Sequence, residues 1–291
     1  MTSISRVVGA LIAYHPDLAA LDQNIRIASA QVDKLYVWDN TGPGSLVGSL
    51  GFPENVVYLQ REKNDGIAVP LNRMAQLARE SGADWFLTLD QDSTLTADYV
   101  SGLLAIADCM PSLENVGIIA GSAIEPYKKP AHSTFEPAVV NTLITSGSLI
   151  RLSAYEHVGG SDEQMFIDCV DHELCLKMRR HGFALYSSNS VNFQHTIGEP
   201  QEVNLPFLGI KLRCSKHAPL RKYYSTRNRL KLYRNFFLFD PMFVLKDSYS
   251  MCAEIVKIIL FEDRTFSKLR AIVLGVMDAI AGRGGSCRHQ I

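Results

Sequence analysis

The chain has 291 residues, a length that suits one large domain or two closely fused domains with a sizeable core. Its 29 lysines and arginines balance 30 aspartates and glutamates, so the net charge is −1. This balance gives no global attraction to nucleic acid, and we expect no nucleic-acid partner. A content of 47% hydrophobic and 20% charged residues excludes a disordered or collagen-like chain.

Cysteine spacing and the N-terminal segment bear on where the protein works. The six cysteines form no CxxC pair and no zinc-type spacing, which is typical of reduced thiols in a cytosolic protein. The first 17 residues contain one arginine and a short apolar run, which predicts a buried strand rather than a signal peptide. No stretch reaches the roughly 18 apolar residues that a spanning helix needs. We therefore expect a cytoplasmic protein.

Apolar runs of strand length alternate with helix-like stretches in the first hundred residues. This alternation predicts a parallel sheet covered on both faces. The expected strands are 7–14, 35–38, 56–60 and 85–89, and the expected helices are 18–31 and 67–81. Further expected elements are strands at 117–120, 143–151 and 184–187, a helix at 171–182, and C-terminal helices at 223–239 and 248–261. The glycine-rich tail, 281–291, is expected to be mobile.

Small polar residues follow each of the first four strands. Parallel sheets bind ligands beyond the carboxyl ends of their strands, so these residues form a candidate rim for a nucleotide. Asn, Asp and Gly also form ordinary turns, which is the alternative for each cluster taken alone. The four clusters are Tyr14-His15-Pro16, Asp39-Asn40-Thr41-Gly42, Asn64-Asp65-Gly66 and Asp90-Gln91-Asp92-Ser93.

The acidic pair Asp90 and Asp92 predicts a metal site. Side chains at i and i+2 of an extended chain point the same way, so both carboxylates can converge on one cation. Mg²⁺ or Mn²⁺ binds one or two carboxylates and completes its shell with water and phosphate oxygens. The expected ligand is therefore a diphosphate. A solvated acidic turn is the alternative.

The same segment also fits the Asp-x-Asp motif of the aspartate-nucleophile (haloacid-dehalogenase-like) phosphatases. In those enzymes the motif normally ends the first strand, whereas about ninety residues and three expected strands precede it here. The downstream acidic pair that those enzymes need is also missing from the sequence. The phosphatase hypothesis therefore ranks second, and a non-catalytic nucleotide-sugar-binding protein is a third.

Three further elements carry candidate chemistry. Asp171 lies where a loop enters the expected helix at 171–182, and partial desolvation there would raise its pKa toward that of a general base. Helix capping is the alternative for Asp171 and for Glu173. His195 precedes a glycine turn and is a candidate metal or phosphate ligand. The basic segment 221–234 suits either a diphosphate clamp or a solvated helix face.

Taken in order, these motifs resemble the family 2 glycosyltransferases of the GT-A fold, within the rhamnosyltransferase branch. The resemblance covers roughly residues 5 to 235. It rests on Val37-Trp38-Asp39-Asn40, Asn64-Asp65-Gly66 with Asn72, Leu87-Thr88-Leu89-Asp90-Gln91-Asp92-Ser93, Ile144-Thr145-Ser146-Gly147-Ser148, Phe166-Ile167-Asp168-Cys169-Val170-Asp171-His172-Glu173, His195-Thr196-Ile197-Gly198-Glu199, and Tyr223-Tyr224 with Arg227-Asn228.

The resemblance implies an inverting transfer of a sugar to a hydroxyl of a cell-surface polysaccharide or lipid-linked glycan precursor, with L-rhamnose donated by dTDP-L-rhamnose. Asp171 matches the family's catalytic base. Val170 replaces the glutamate that usually precedes it, so Asp168 and Glu173 are alternative candidates for the base. Mg²⁺ or Mn²⁺ would be held by Asp90, Asp92 and His195. The donor would contact Tyr14, Asp39, Asn64, Gly66, Asp90, Gln91, His195, Arg227 and Asn228.

The resemblance also implies a layout for the chain. The fold class is α/β, a Rossmann-like GT-A domain with a mostly parallel central sheet, flanking helices and a C-terminal helical segment. Residues 1–115 would bind the nucleotide-sugar, 116–235 would form the acceptor-binding and catalytic half, and 236–291 the helical segment. Aromatic residues near 236–243 are consistent with peripheral contact to the cytoplasmic membrane face, with a homodimer, or with core packing.

Overall fold

A computed structural model describes residues 5–124, 137–195, 201–205, 210–214 and 218–291. The strands are β1 (Val7–Ala13), β2 (Lys34–Asp39), β3 (Val56–Gln60), β4 (Trp85–Asp90), β5 (Ser93–Leu95), β6 (Val116–Ile124), β7 (Ala138–Val140), β8 (Ser148–Arg151), β9 (Ala184–His195), β10 (Gln201–Leu205) and β11 (Ile210–Cys214). The helices are α1 (Leu18–Ser29), α2 (Ala68–Glu80), α3 (Tyr99–Asp108), α4 (Leu152–His157), α5 (Val170–Arg180), α6 (Pro219–Phe236), α7 (Pro241–Phe261) and α8 (Thr265–Ile280).

The chain divides into two compact units. The first contains Met1–Asp162 and Val170–Thr196, and the second contains Glu163–Cys169 and Ile197–Ile291. The first unit holds a nine-stranded sheet in the order β3-β2-β1-β4-β8-β6-β9-β5, with β7 paired to β9. Strands β1, β2, β3, β4, β6 and β9 run in one direction, and β5, β7 and β8 run in the other. The predicted α/β fold with a mostly parallel sheet is confirmed.

The core of the first unit lies on both faces of this sheet. All seven residues of β1 are buried, as expected for a central parallel strand that is covered by helices on either side. Helix α2 buries Leu71, Met74, Ala75 and Ala78, the apolar face that its spacing predicts. Each fully buried aliphatic side chain contributes roughly 1.5–3 kcal/mol to folding. This packing of helices on the sheet holds in place the carboxyl ends of the strands, where the polar rim lies.

Strand order determines where a ligand can bind. From β1 the chain passes to β2 on one side, and β4 later pairs with the other side of β1. The order therefore reverses between β1 and β4, and ligands of open α/β sheets bind in the crevice beyond the carboxyl ends at such a point. The clusters at Tyr14, Asp39 and Asp90 follow these three strands.

The expected strand at 143–151 is shorter in the structure, because β8 begins only at Ser148. Gly147 has a φ of +73°, and a Cβ added there would lie 2.7 Å from the hydroxyl of Tyr99. A left-handed backbone ends an extended segment and favours glycine, so residues 143–147 form a loop instead. Strand β9, by contrast, extends beyond the expected 184–187 to His195.

The second unit contains α6, α7, α8 and the hairpin of β10 and β11. The C-terminal helices are confirmed, but α8 was not expected, and the predicted mobility of 281–291 is wrong. The Cys287 amide donates to the Tyr224 hydroxyl at 2.7 Å, and His289 Nε2 lies 2.9 Å from Asp278 Oδ2, so the tail is packed. None of the described helices is both long and apolar enough to span a bilayer.

Candidate active site

The polar rim forms at the carboxyl edge of the first unit's sheet. In the strand register, Ala13 of β1 lies beside Asp39 of β2, and Ile12 lies beside Asp90 of β4. The backbone amide of Tyr14 donates to Gln91 Oε1 at 2.7 Å, so it joins the loops that follow β1 and β4. The predicted residues Tyr14, Asp39, Asp90 and Gln91 are therefore brought to one edge of the sheet.

Asp39 is completely buried at the end of β2. Its Oδ2 accepts a hydrogen bond from the Tyr58 hydroxyl at 2.8 Å, and its Oδ1 accepts one from the Thr41 amide at 2.9 Å. Burial alone would raise the pKa of Asp39, but hydrogen bonds from Ser45, Thr41 and Tyr58 hold it below its ordinary value. Burial and the Asp39 carboxylate raise the pKa of Tyr58 to about 12. A nucleobase would reach this carboxylate only after one of its partners moved.

Asn64 and Gly66 form a turn that is attached to the end of β2. Asn64 Oδ1 accepts from the Gly66 amide at 2.8 Å, and Gly66 has a φ of +76°. Asn40 holds this turn, because its Nδ2 donates to the Gly66 carbonyl at 2.7 Å and its Oδ1 accepts from the Asp65 amide at 3.1 Å. The sequence placed Asn40 in the candidate nucleotide rim, and in the structure its side chain holds this turn.

The acidic segment lies in the tight turn between β4 and β5. Asp90 is half-buried and Asp92 is exposed. In the backbone register, Ser93 of β5 lies opposite His195 at the end of β9. The backbone of His195 therefore lies beside the turn that carries Asp90 and Asp92, the other two predicted metal ligands. The side chain of His195 lies outside the described residues, as does the motif at 196–199.

The donor set at this turn fits a hard divalent cation. Within the described parts of the chain, no group of three or more His, Cys, Asp or Glu side chains could hold a metal on its own. Mg²⁺ usually takes only one or two protein carboxylates and completes its shell with water and substrate phosphates. A carboxylate pair beside an open crevice suits that chemistry, and it does not suit a closed all-protein site.

Ser146 braces the acidic turn and was missed as a site residue by sequence reasoning. Its buried Oγ accepts a hydrogen bond from the Asp90 amide at 3.0 Å and donates to Ser93 Oγ at 2.7 Å. The signal was present in the motif Ile144-Thr145-Ser146-Gly147-Ser148, but the partner of a serine hydroxyl cannot be found from sequence. Ser146 links the loop before β8 to both ends of the turn.

Asp171 lies in the first turn of α5 and lines a small cleft. Leu71, Ile144, Thr145, Ser161 and Cys175 line the same cleft. Of the Asp171 side chain, 23% is exposed. Thr145 of this lining is the direct neighbour of Ser146, which bonds the Asp90 amide. One short loop therefore contacts both the acidic turn and the cleft of Asp171.

The expected rise in the pKa of Asp171 is wrong. Burial raises this pKa, but the neighbouring His172 outweighs burial and leaves the pKa of Asp171 below its ordinary value. His172 Nδ1 lies 2.9 Å from Asp171 Oδ1, and the His172 amide donates to the same oxygen at 2.8 Å. Asp171 is therefore ionised throughout the neutral range, as a proton acceptor must be.

The two substitutes for the incomplete acidic pair are engaged elsewhere. Glu173 is buried, lies 3.1 Å from Lys177 Nζ and accepts from the Asp162 amide at 3.2 Å. Burial raises the pKa of Glu173 despite Lys177. Asp168 belongs to the second unit, where its Oδ1 accepts from Arg221 Nε at 3.1 Å. Of these three carboxylates, only Asp171 lines the cleft.

Arg227 and Asn228 are buried on α6 in the second unit. Arg227 donates to the Gln164 carbonyl at 3.1 Å and to the Gly285 carbonyl at 2.7 Å. Asn228 Nδ2 lies 2.7 Å, 2.8 Å and 2.9 Å from the carbonyls of Met165, Ile167 and Asp168. These side chains hold the segment Glu163–Cys169 in place. Their predicted contact with a diphosphate stays a prediction.

The chain has the GT-A fold of glycosyltransferases, as the motif series predicted. TarS 1–349 of S. aureus in complex with UDP-GlcNAc superposes with a TM-score of 0.61 at 11% identity, over 94% of this chain and 81% of that one. GalNAc-T7 with UDP, GalNAc and Mn²⁺ gives a TM-score of 0.55 at 11% identity, over 68% of this chain and 45% of that one.

Similarity in sequence to a curated protein points to one branch of the glycosyltransferases. The chain is 25% identical over 303 residues to the dTDP-rhamnosyl transferase RfbF of Shigella flexneri, covering 98% of this chain and 99% of the relative. No family model matches the chain. The relative and the fold together support a family 2 glycosyltransferase of the rhamnosyltransferase branch, in agreement with the resemblance carried by the motifs.

Proposed function

We propose that the protein transfers L-rhamnose from dTDP-L-rhamnose, with inversion and with a divalent metal, to a hydroxyl of a cell-surface polysaccharide or lipid-linked glycan precursor. The observation that carries this proposal is the loop of Thr145 and Ser146. Ser146 bonds the amide of Asp90, and Thr145 lines the cleft of Asp171. A donor diphosphate at the acidic turn and an acceptor hydroxyl at Asp171 would then lie on either side of one loop. The similarity to RfbF supports the choice of donor.

The donor would lie across the carboxyl ends of β1, β2 and β4. Asp39 is our candidate for nucleobase recognition, which would require one hydrogen-bond partner of its buried carboxylate to move, and Asn64 and Gly66 would line the nucleotide pocket. Tyr14 and Gln91, whose loops are hydrogen-bonded, would border the diphosphate. Arg227 and Asn228 stay candidates for diphosphate contact.

Asp90, Asp92 and His195 would hold Mg²⁺ or Mn²⁺ together with the diphosphate. The metal supplies a positive charge that stabilises the departing nucleoside diphosphate. Ser146 would keep the acidic turn rigid, because its hydroxyl bonds both the Asp90 amide and Ser93 Oγ. A rigid turn holds the two carboxylates ready, so less ordering is needed when the donor binds.

Asp171 would act as the general base. Its carboxylate would take the proton from the acceptor hydroxyl while that oxygen attacks the anomeric carbon from the side opposite the diphosphate, which inverts the configuration there. His172 keeps the carboxylate ionised and fixes its Oδ1. The apolar lining of the cleft, including Leu71 and Ile144, would limit the access of water to the reacting carbon.

The test is a panel of nucleotide-sugars, each added to the protein with and without Mn²⁺. We expect dTDP-L-rhamnose with Mn²⁺ to raise Tm most, because a ligand that binds the native state stabilises it by mass action. Asp171→Asn should lower the rate of sugar transfer by about 10²–10⁴-fold, with the Tm shift retained. Full transfer by this variant would overturn the role of Asp171, and trapping of a phosphorylated Asp90 would favour the phosphatase alternative.

Glu173→Gln and Asp168→Asn are matched controls for the base. Each removes a carboxylate from the same stretch of sequence, but Glu173 is paired with Lys177 and Asp168 with Arg221. We expect both variants to keep the pH dependence of the parent protein, whatever they lose in stability. A variant at either position that reproduces the Asp171→Asn loss would move the base to that residue.

A further inference from the structure

Helix α7 presents a straight apolar stripe to solvent. The stripe comprises six residues separated by three, four, three, four and three positions along the chain: Met242, Leu245, Tyr249, Cys252, Val256 and Ile259. All six are exposed, including Tyr249 at 78% and Leu245 at 60%. Spacing that alternates between three and four residues is typical of the seam of a two-stranded coiled coil, which needs a second helix against it.

The remaining faces of α7 are already used inside the second unit. Val244 and Ile258 are buried. Glu254 pairs with Lys222 and with Arg229, the latter at 2.8 Å, and Asp247 accepts from the Tyr233 hydroxyl at 2.6 Å. These contacts attach α7 to α6 and fix its rotation. The stripe therefore faces away from the helix to which α7 is bonded.

The exposed area matches what a dimer needs. Leu238 is 96% exposed and Leu260 is 62% exposed at the two ends of the stripe. Taking roughly 150–250 Å² for a large side chain, the stripe and its ends expose on the order of 800 Å² of apolar surface. Soluble monomers rarely expose a contiguous apolar patch beyond a few hundred Å². A stable protein–protein interface buries about 800 Å² per partner.

We propose that α7 packs antiparallel against α7 of a second copy of this chain, about a two-fold axis. In that arrangement the stripe is complementary to itself. Met242 faces Ile259 of the partner helix, Leu245 faces Val256, and Tyr249 faces Cys252, and each contact occurs twice. Such an interface satisfies two-fold symmetry with one patch. It also sets the helix dipoles in opposite directions.

Side-chain sizes favour the antiparallel arrangement over the parallel one. Antiparallel packing places the large Tyr249 against the small Cys252 of the other copy, so neighbouring layers of the seam have similar volume. A parallel pair would place Tyr249 against Tyr249 and Cys252 against Cys252, which gives one overfilled layer and one underfilled layer. Cores pack at crystal-like density, and either fault is destabilising.

The shape of the stripe also favours a protein partner over a lipid surface. A helix that lies in a membrane interface carries a broad apolar face with lysine and arginine along its polar side. The stripe of α7 uses two positions in seven, and the charges of this helix balance, with Asp247 and Glu254 against Lys246 and Lys257.

The test measures the mass of the full chain by sedimentation velocity and does not depend on sugar transfer. We expect a particle near twice 32.3 kDa for the parent protein. Leu245→Glu and Val256→Glu should each give a folded monomer with an unchanged far-UV circular dichroism spectrum. Val139→Glu, at a residue of the first unit that is 69% exposed, is the matched control and should stay dimeric.

A paired substitution tests the register. In the antiparallel dimer, a chain with Leu245→Glu and Val256→Lys places opposite charges face to face twice, so it should dimerise again. A folded double variant that stays monomeric would overturn the register. A monomeric parent protein at tens of micromolar would overturn the dimer, and so would a monomer that binds phosphatidylglycerol vesicles through this stripe.

Discussion

The imidazole Nδ1 of His172 lies 2.9 Å from Oδ1 of Asp171, and the backbone amide of His172 donates to the same oxygen. One residue therefore holds the carboxylate twice, from its side chain and from its main chain. Burial pushes the pKa of Asp171 upward, but the contacts with His172 outweigh burial and leave the pKa below its ordinary value. The contacts with His172 thus favour the ionised form of the proposed base.

Removal of the imidazole should change how transfer depends on pH. In His172→Ala the side-chain hydrogen bond and the charge are lost while burial remains, so the pKa of Asp171 should rise. Because the ionised form is the active one, the acid limb of the kcat/KM profile should move to higher pH. His181→Ala, an exposed histidine just beyond the same helix, is the control and should leave the profile unchanged. An unmoved acid limb in His172→Ala would contradict this coupling.

The acidic turn should bind donor only through the metal. In Asp92→Ala, we expect the Mn²⁺-dependent part of the Tm shift produced by dTDP-L-rhamnose to disappear, because one of the two carboxylates of the site is removed. Asp98→Ala removes an exposed carboxylate six residues away and should keep the full shift. The measurement is a thermal melt with nucleotide-sugar, with and without metal. A full metal-dependent Tm shift in the Asp92→Ala variant would exclude Asp92 as a metal ligand.

Local sequence pattern was enough to predict much of the first unit. Buried, non-alternating runs predicted β1 to β4, and the rule that parallel strands end at one edge brought Tyr14, Asp39 and Asp90 together. The bond between Ser146 and the Asp90 amide could not be predicted in this way. It depends on β8 pairing antiparallel to β4, a contact between segments about sixty residues apart.

Two features of the C-terminal part, helix α8 and the packing of the tail, were not expected from the sequence. Gly275 lies in the middle of α8, where a Cβ would approach the Tyr223 carbonyl to 2.7 Å, so glycine permits close packing of this helix against α6. The glycine-rich tail is held by Tyr224 and Asp278 rather than by its own composition. Both features arise from long-range packing, which no window of sequence contains.

Ser146→Ala should weaken binding of the nucleotide-sugar, although we do not expect Ser146 itself to contact that substrate. The substitution removes the hydroxyl that accepts a hydrogen bond from the Asp90 amide at 3.0 Å. A buried N–H group without a hydrogen-bond partner lowers the free energy of unfolding by about 1–3 kcal/mol. We expect lower stability in urea and a lower metal-dependent affinity for donor. Ser148→Ala is the matched control, since its buried hydroxyl bonds the Ile144 carbonyl at 2.7 Å and not the turn. Equal loss of donor affinity in the two variants would show that Ser146 has no special link to the acidic turn.

The last prediction separates two roles for Asn228. Its side-chain amide lies within 2.9 Å of three backbone carbonyls in the segment Glu163–Cys169. That segment contains Phe166, Asp168 and Cys169 at φ of +41°, +65° and +65°, conformations that cost non-glycine residues of order 1–3 kcal/mol each. A strained segment persists only when its surroundings hold it, and Asn228 is buried against it.

Asn228→Ala should therefore lower the free energy of unfolding of the ligand-free protein by about 2 kcal/mol, because buried carbonyls lose their donor. The measurement is urea unfolding without nucleotide. Lys231→Ala is the control, since Lys231 Nζ donates to Gln164 Oε1 of the same segment at an exposed site, and it should change stability by less than about 1 kcal/mol. If Asn228→Ala leaves ligand-free stability intact and loses affinity for dTDP, then Asn228 contacts the diphosphate and does not position the segment.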